Sequence, residues 1–162
     1  MRTVFLLATF CLATSNLLAA ALPESLKKTI DLAGANAPEI EKAWSQAPEE
    51  QRQGMEFLLT HMPARDAASL KSEFLLENVA LAYQARKEMP WGKDIPEDIF
   101  LNDVLPYASL DESRDDWRKD FFTRFRKIAG DAKTASEALT RINAAIEKEL
   151  GVQYNTNRRA PN

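Results

Sequence analysis

Prolines at 23, 38, 48, 63, 90, 96 and 106 interrupt a chain otherwise rich in Ala, Leu, Glu, Lys and Arg and poor in glycine. That composition favours helix, and a proline cannot sit inside one without removing a backbone donor and clashing with the preceding turn. The chain therefore reads as helices of limited length, each bounded by a proline or a glycine. Expected helices run over about 23–33, 38–47, 48–61, 66–88, 97–105, 113–129 and 134–150. Pro38 and Pro48 suit a first helical turn, where the missing N–H costs little. Glu39, Glu41, Glu49 and Glu50 follow them at the positive end of the dipole.

The longest of these, 66–88, carries Leu70, Phe74, Leu75, Val79, Leu81, Ala82 and Tyr83 largely at helical spacing, with Asp66 as its expected N-cap. Met89-Pro90-Trp91-Gly92 ends it. Over 113–129, Trp117, Phe121, Phe122, Phe125 and Ile128 form an apolar stripe expected to be core, and Gly130 closes that helix. Thr134-Ala-Ser-Glu137 is a capping-box pattern that opens the last one. The fold class expected is all-α, with about six to seven helices.

The first 21 residues have the parts of a secretory signal: Arg2, an apolar stretch over 4–13, and small residues Ala19-Ala20-Ala21. The apolar run is too short for the roughly 20 residues that span a bilayer, and Thr14-Ser15-Asn16 interrupts it. Cleavage is expected after Ala21, giving an exported, periplasmic or secreted chain with no membrane partner thereafter. The single cysteine, Cys11, leaves with the leader, and Phe10 before it disfavours lipidation. Loss of Arg2 moves the net charge of −3 to −4. Such a balance argues against nucleic acid as a partner, which wants a basic surface.

Residues that could carry chemistry are few. His61 is the only histidine, so neither a His-His metal pair nor a Cys-His dyad can form within one chain. It stands at a helix end, where a cation favours the carbonyl pole. Glu49/Glu50, Glu97/Asp98 and Asp115/Asp116 are neighbours in sequence and point about 100° apart on a helix, so they make no acid–base pair on one face. There is no Gly-rich phosphate loop, calcium loop or Gly-x-Ser-x-Gly elbow. Trp91 reads as a helix-end plug. Asn78 and Asn143, among apolar neighbours, are expected to bridge backbone groups if buried. No catalytic, cofactor-binding or metal-ligating set is expected.

The second half carries a more specific pattern. It comprises Leu76-Glu-Asn-Val79 with Ala82-Tyr83, Pro90-Trp91, Ile95-Pro96 with Phe100-Leu101, and Val104-Leu-Pro-Tyr107. Arg114-Asp-Asp-Trp-Arg118, Ala138 with Ile142-Asn143, and Val152 with Tyr154 complete it. In this order and spacing, residues 55–162 resemble exported bacterial transglutaminase-like proteins, which carry a helical region ahead of a transglutaminase/papain-like core.

The resemblance implies a leader over 1–21 and a helical region over 22–130. Residues 131–162 would then hold the first helix of a truncated α+β core, with a first strand around Val152–Asn155. The family's nucleophilic cysteine, in a Gly/Ser-x-Cys setting, and its later histidine and aspartate have no counterpart here. The implied partners are the missing C-terminal catalytic core and the protein or peptide substrate of the parent. The competing expectation is a complete, non-enzymatic periplasmic helical module that binds a protein partner.

Overall fold

Helix follows proline through the first third of the chain, much as its sequence dictates. The computed structural model describes residues 21–109 and 112–151, and no strand occurs among them. A 3₁₀ turn, Glu24–Leu26, leads into α1 (Lys27–Ala33), and α2 (Ala37–Gln46) starts with Pro38 in its first turn. A second 3₁₀ turn, Glu49–Gln51, feeds α3 (Arg52–His61). The suggested strand at 152–155 and the leader's first 20 residues lie outside the described residues.

The expected helix 66–88 is two helices, α4 (Ala64–Ala67) and α5 (Ser72–Glu88). Side chains from α2 and the turn before it make the break. The Asn36 amide donates to the carbonyls of Ala67 (2.8 Å) and Leu70 (2.9 Å), satisfying acceptors that a continuous helix would have used. The Glu39 carboxylate accepts from the Ser72 N–H (2.9 Å) and hydroxyl (2.8 Å), capping α5 from outside its own strand of sequence. Lys71, between them, is extended. Asp66 is consequently no N-cap; it lies within α4, 2 % exposed.

Further on, α6 (Glu97–Ile99) widens into a π-helical turn over Phe100–Val104, closed by Leu105 N–H to the Phe100 carbonyl at 2.9 Å. The helix expected from 113 begins four residues later, as α7 (Trp117–Ala129), and residues 112–116 are not helical. Gly130, at φ 51°, turns the chain toward α8 (Ala135–Leu150). Thr134 Oγ1 accepts from Glu137 N–H at 3.2 Å, half of the expected capping box. The reciprocal bond shifts by one residue, Glu137 reaching the Lys133 N–H at 2.9 Å.

Two apolar clusters of unequal depth hold these helices. The larger draws on α1, α2, α3, α5 and the π turn, with Leu26, Ile40, Met55, Leu59, Leu75, Val79, Phe100 and Leu105 fully buried. Each such side chain contributes roughly 1.5–3 kcal/mol. The smaller sits where α7 turns into α8. Its buried residues are Ala129, Ala132 and Ala138, flanked by half-buried Met89, Trp91 and Ile142. An alanine methyl offers only about 0.8 kcal/mol.

The stripe expected as core is not core. Trp117, Phe121 and Phe125 meet edge to face at 5.6 and 5.2 Å but remain half-buried; α7 packs mainly on α5 and α8. On α8, Leu139 is 59 % exposed.

Within the larger cluster, Gly54 of α3 faces the Tyr83 ring of α5. A Cβ there would fall 2.7 Å from Tyr83 Cε2, and the Gly54 N–H donates to Tyr83 Oη at 3.2 Å. Among the described residues no helix is long and apolar enough to cross a membrane.

The Glu39 cap sets a pH dependence. Its bonds to Ser72, helped by Lys71 and Lys42, hold its carboxyl below the ordinary glutamate range. A depressed folded value means that the stabilisation is present above the unfolded value and is lost as pH falls through the folded one. Glu39→Gln should therefore lower the urea midpoint at pH 7, and the gap from wild type should close below about pH 4. A gap that persists unchanged at pH 3 would show that the charge on Glu39 is not what caps α5.

Candidate functional site

Asp66 is the one buried carboxylate among the described residues, its side chain 3 % exposed, and two of its partners come from far along the chain. Tyr107 Oη donates to Asp66 Oδ2 at 2.9 Å, and Arg114 Nε donates to the same oxygen at 3.0 Å. Arg65, its sequence neighbour, stands 3.5 Å from Oδ1. Burial and the adjoining carboxylate push the Tyr107 phenol well above its ordinary range, so it stays a hydrogen-bond donor at any physiological pH. Arg114 also donates to the Glu112 carbonyl and lies 5.7 Å from the Tyr107 ring.

A second knot lies along the same stretch of chain. Arg118, in the first turn of α7, donates through Nε to Asn78 Oδ1 (2.6 Å). Through Nη2 it reaches the carbonyls of Val104 (2.9 Å), Leu105 (3.2 Å) and Pro106 (2.7 Å). Those carbonyls close the π turn and have no helical continuation to satisfy them, so the guanidinium acts as a remote C-cap. Burial lowers the Arg118 pKa to about 10, and it remains a cation at neutral pH. Asn78, 4 % exposed, returns an amide N–H to Leu105 O at 2.9 Å, the backbone bridge expected of it; Asn143 is exposed. Trp117 Nε1 donates to Tyr107 O at 2.8 Å.

Together these bonds lay residues 104–109 as a strap across α4 and α5. Between the strap and the end of α3 runs a groove lined by Phe57, His61, Pro63, Pro106, Tyr107 and Ala108. His61 stands at its rim. The ring stacks on Phe57 at 4.3 Å, and Nδ1 lies 2.8 Å from the Phe57 carbonyl, the helix-end role its position suggested. No hydrogen bond joins His61 to a hydroxyl or carboxylate among the described residues.

The polar groups of this arrangement are bonded to one another. The Asp66 carboxylate accepts from Tyr107 and Arg114, Tyr107 is held protonated, and among the described residues no hydroxyl is hydrogen-bonded to His61. Among the described residues no three His, Cys, Asp or Glu side chains gather as metal ligands. The adjacent acidic pairs Glu49/Glu50 and Glu97/Asp98 sit in first helical turns, and Asp115/Asp116 are exposed ahead of α7. Trp91, expected as a plug at the end of the 66–88 helix, packs half-buried on the α7–α8 turn, where its Nε1 is buried with no hydrogen-bond partner among the described residues.

Sequence reasoning missed Asp66, Tyr107, Arg114 and Arg118 as one network. A signal was available, since Asn78, Tyr107, Arg114, Trp117 and Arg118 all fall in the motifs Leu76–Val79, Val104–Tyr107 and Arg114–Arg118. Their spacing is that of groups that meet in space. Comparison with family models, with curated proteins and with solved structures finds no match.

Tyr107→Phe removes one hydrogen bond from Asp66 and should cost about 1–3 kcal/mol of unfolding free energy in urea. Asp66→Ala removes the acceptor shared by Tyr107 and Arg114 and should cost about 3–5 kcal/mol. A loss for Asp66→Ala no larger than that for Tyr107→Phe would contradict the carboxylate's place at the centre of the network.

Proposed function

We propose that this chain is the exported N-terminal helical region of a transglutaminase-like protein. In this reading it supports a cysteine-dependent acyl-transfer or amide-hydrolysing core whose catalytic residues follow in the parent's sequence. The observation that carries the reading is the state of α8. The resemblance assigns this helix to the opening of the core, and it buries one side chain, Ala138, while Leu139 stays 59 % exposed and Ile142 and Ile146 are half-buried. A helix this amphipathic that covers so little of its apolar stripe is suited to receive another layer. The convergence of three resemblance motifs on one network adds support, because it gives their spacing a physical cause.

The chemistry belongs to the parent. A cysteine at a helix N-terminus beside an imidazole becomes a thiolate, attacks an amide carbonyl to form a thioester and expels the amine. Acyl transfer to an amine or to water then frees the enzyme. The described residues supply support, and the helices over 22–130 shape access to a core beginning at 131–162. Partners are that core and the protein or peptide substrate of the parent.

A second reading draws on the groove beside Asp66, whose apolar walls would suit a protein partner of a non-enzymatic periplasmic module. The coding frame separates the two. Continued past Asn162, it should reach a Gly/Ser-x-Cys and later a His and an Asp. The extended protein should release amine or ammonia from a peptide amide, with the activity lost on changing that cysteine to alanine. A stop codon directly after Asn162 would overturn the first reading and leave the second.

A further inference from the structure

We propose that α7 and α8 form a latch, a single unit that docks on and lifts off the α1–α6 body without unfolding it. Its docking helps to fasten the strap that forms one wall of the groove beside Asp66. This inference is independent of whether a catalytic core follows.

The two helices are fastened to each other. Arg124 Nη1 donates to the Glu149 carbonyl at 2.9 Å, and Arg141 bridges Ala129 O (3.3 Å) and Asp131 (2.8 Å) across the turn. Ile142 of α8 packs against Ala129, Ala132 and Ala138 where the two helices meet. Attachment to the body is of another kind. Along α5 it consists of the exposed ion pairs Lys119–Glu77 (2.6 Å) and Arg126–Glu88 (2.7 Å), which contribute little in water. At the far end it is the alanine cluster against Met89 and Trp91. At the near end it is Arg118 and Trp117, which bond to an amide and to backbone carbonyls that water can also serve.

Separation exposes three small alanines with the half-buried Met89, Trp91 and Trp117, and returns a buried guanidinium to solvent. It also frees the Trp91 Nε1, which has no partner in the docked state. The α1–α6 body, with its fully buried leucines, methionine and phenylalanine, has no such route to partial opening.

Release also reaches the groove. Arg118 holds the carbonyls of 104, 105 and 106, and Trp117 holds that of Tyr107; Pro106 and Tyr107 line the groove. With the latch undocked, the strap keeps only Asn78 to Leu105 O and Tyr107 to Asp66 from these two knots. Coupling of this kind is reciprocal, so an occupant of the groove would hold the hairpin down.

Hydrogen exchange by mass spectrometry on the full chain, in native buffer and in low urea, tests the latch. Amides of α7 and α8 should exchange through one shared opening, at least about tenfold more populated than that of α2, α3 and α5. Arg118→Gln should raise exchange in the hairpin and in residues 105–109 together and leave α2 and α3 unchanged. If hairpin and body share one opening free energy and one urea slope, the proposal fails. It fails equally if α7 and α8 open separately, or if Arg118→Gln raises all peptides alike. Should that variant not fold, the wild-type exchange profile decides alone.

Discussion

A carboxylate taken out of water at Asp66 governs the layout of the second half of the chain. A buried charge needs hydrogen-bond donors besides the Arg65 cation that α4 brings to 3.5 Å. They come from Tyr107 and Arg114, forty-one and forty-eight residues further along. The segment after the π turn is thereby drawn back over α4, and helix cannot resume until that return is complete. The start of α7 at Trp117, and the side of α5 on which α7 lies, follow from where Arg114 and Tyr107 are held.

The result is a molecule with two styles of cohesion. From Leu26 to Leu105, large side chains interdigitate, and the polar groups there serve mainly to cut helices at defined places. From Trp117 onward the interface rests on buried alanines, half-buried Met89, Trp91 and Trp117, and hydrogen bonds. That division suits the proposed role of the chain as a support, with a rigid base and a more loosely held hairpin facing outward. The groove lies where the two styles meet, so its shape answers to both.

Much of the base was legible in the sequence. Proline spacing located α1, α2 and α3, and Gly130 and Thr134 located the turn into α8, because these signals act through a few neighbouring dihedrals. The break between α4 and α5 was not legible. Residues 66–88 keep helical spacing throughout, and the interruption comes from Asn36 and Glu39, more than thirty residues away. Aromatic spacing in 117–125 identified a stripe correctly but not its burial, which depends on how many neighbours the fold supplies. The Asp66 network was hidden for a related reason: an aspartate at a helix start looks like a cap until its distant partners are known.

The packing of Gly54 on Tyr83 has a consequence for how such a sequence can drift. A side chain at 54 would meet the tyrosine ring at less than contact distance, so its admissibility is conditional on what stands at 83. Alanine at 54 requires the Tyr83 ring to shift or something smaller at 83, and a smaller residue arriving first leaves a void and takes Tyr83 Oη from the Gly54 N–H. Either order passes through a weakened intermediate. Two positions twenty-nine residues apart are thus confined to a common history.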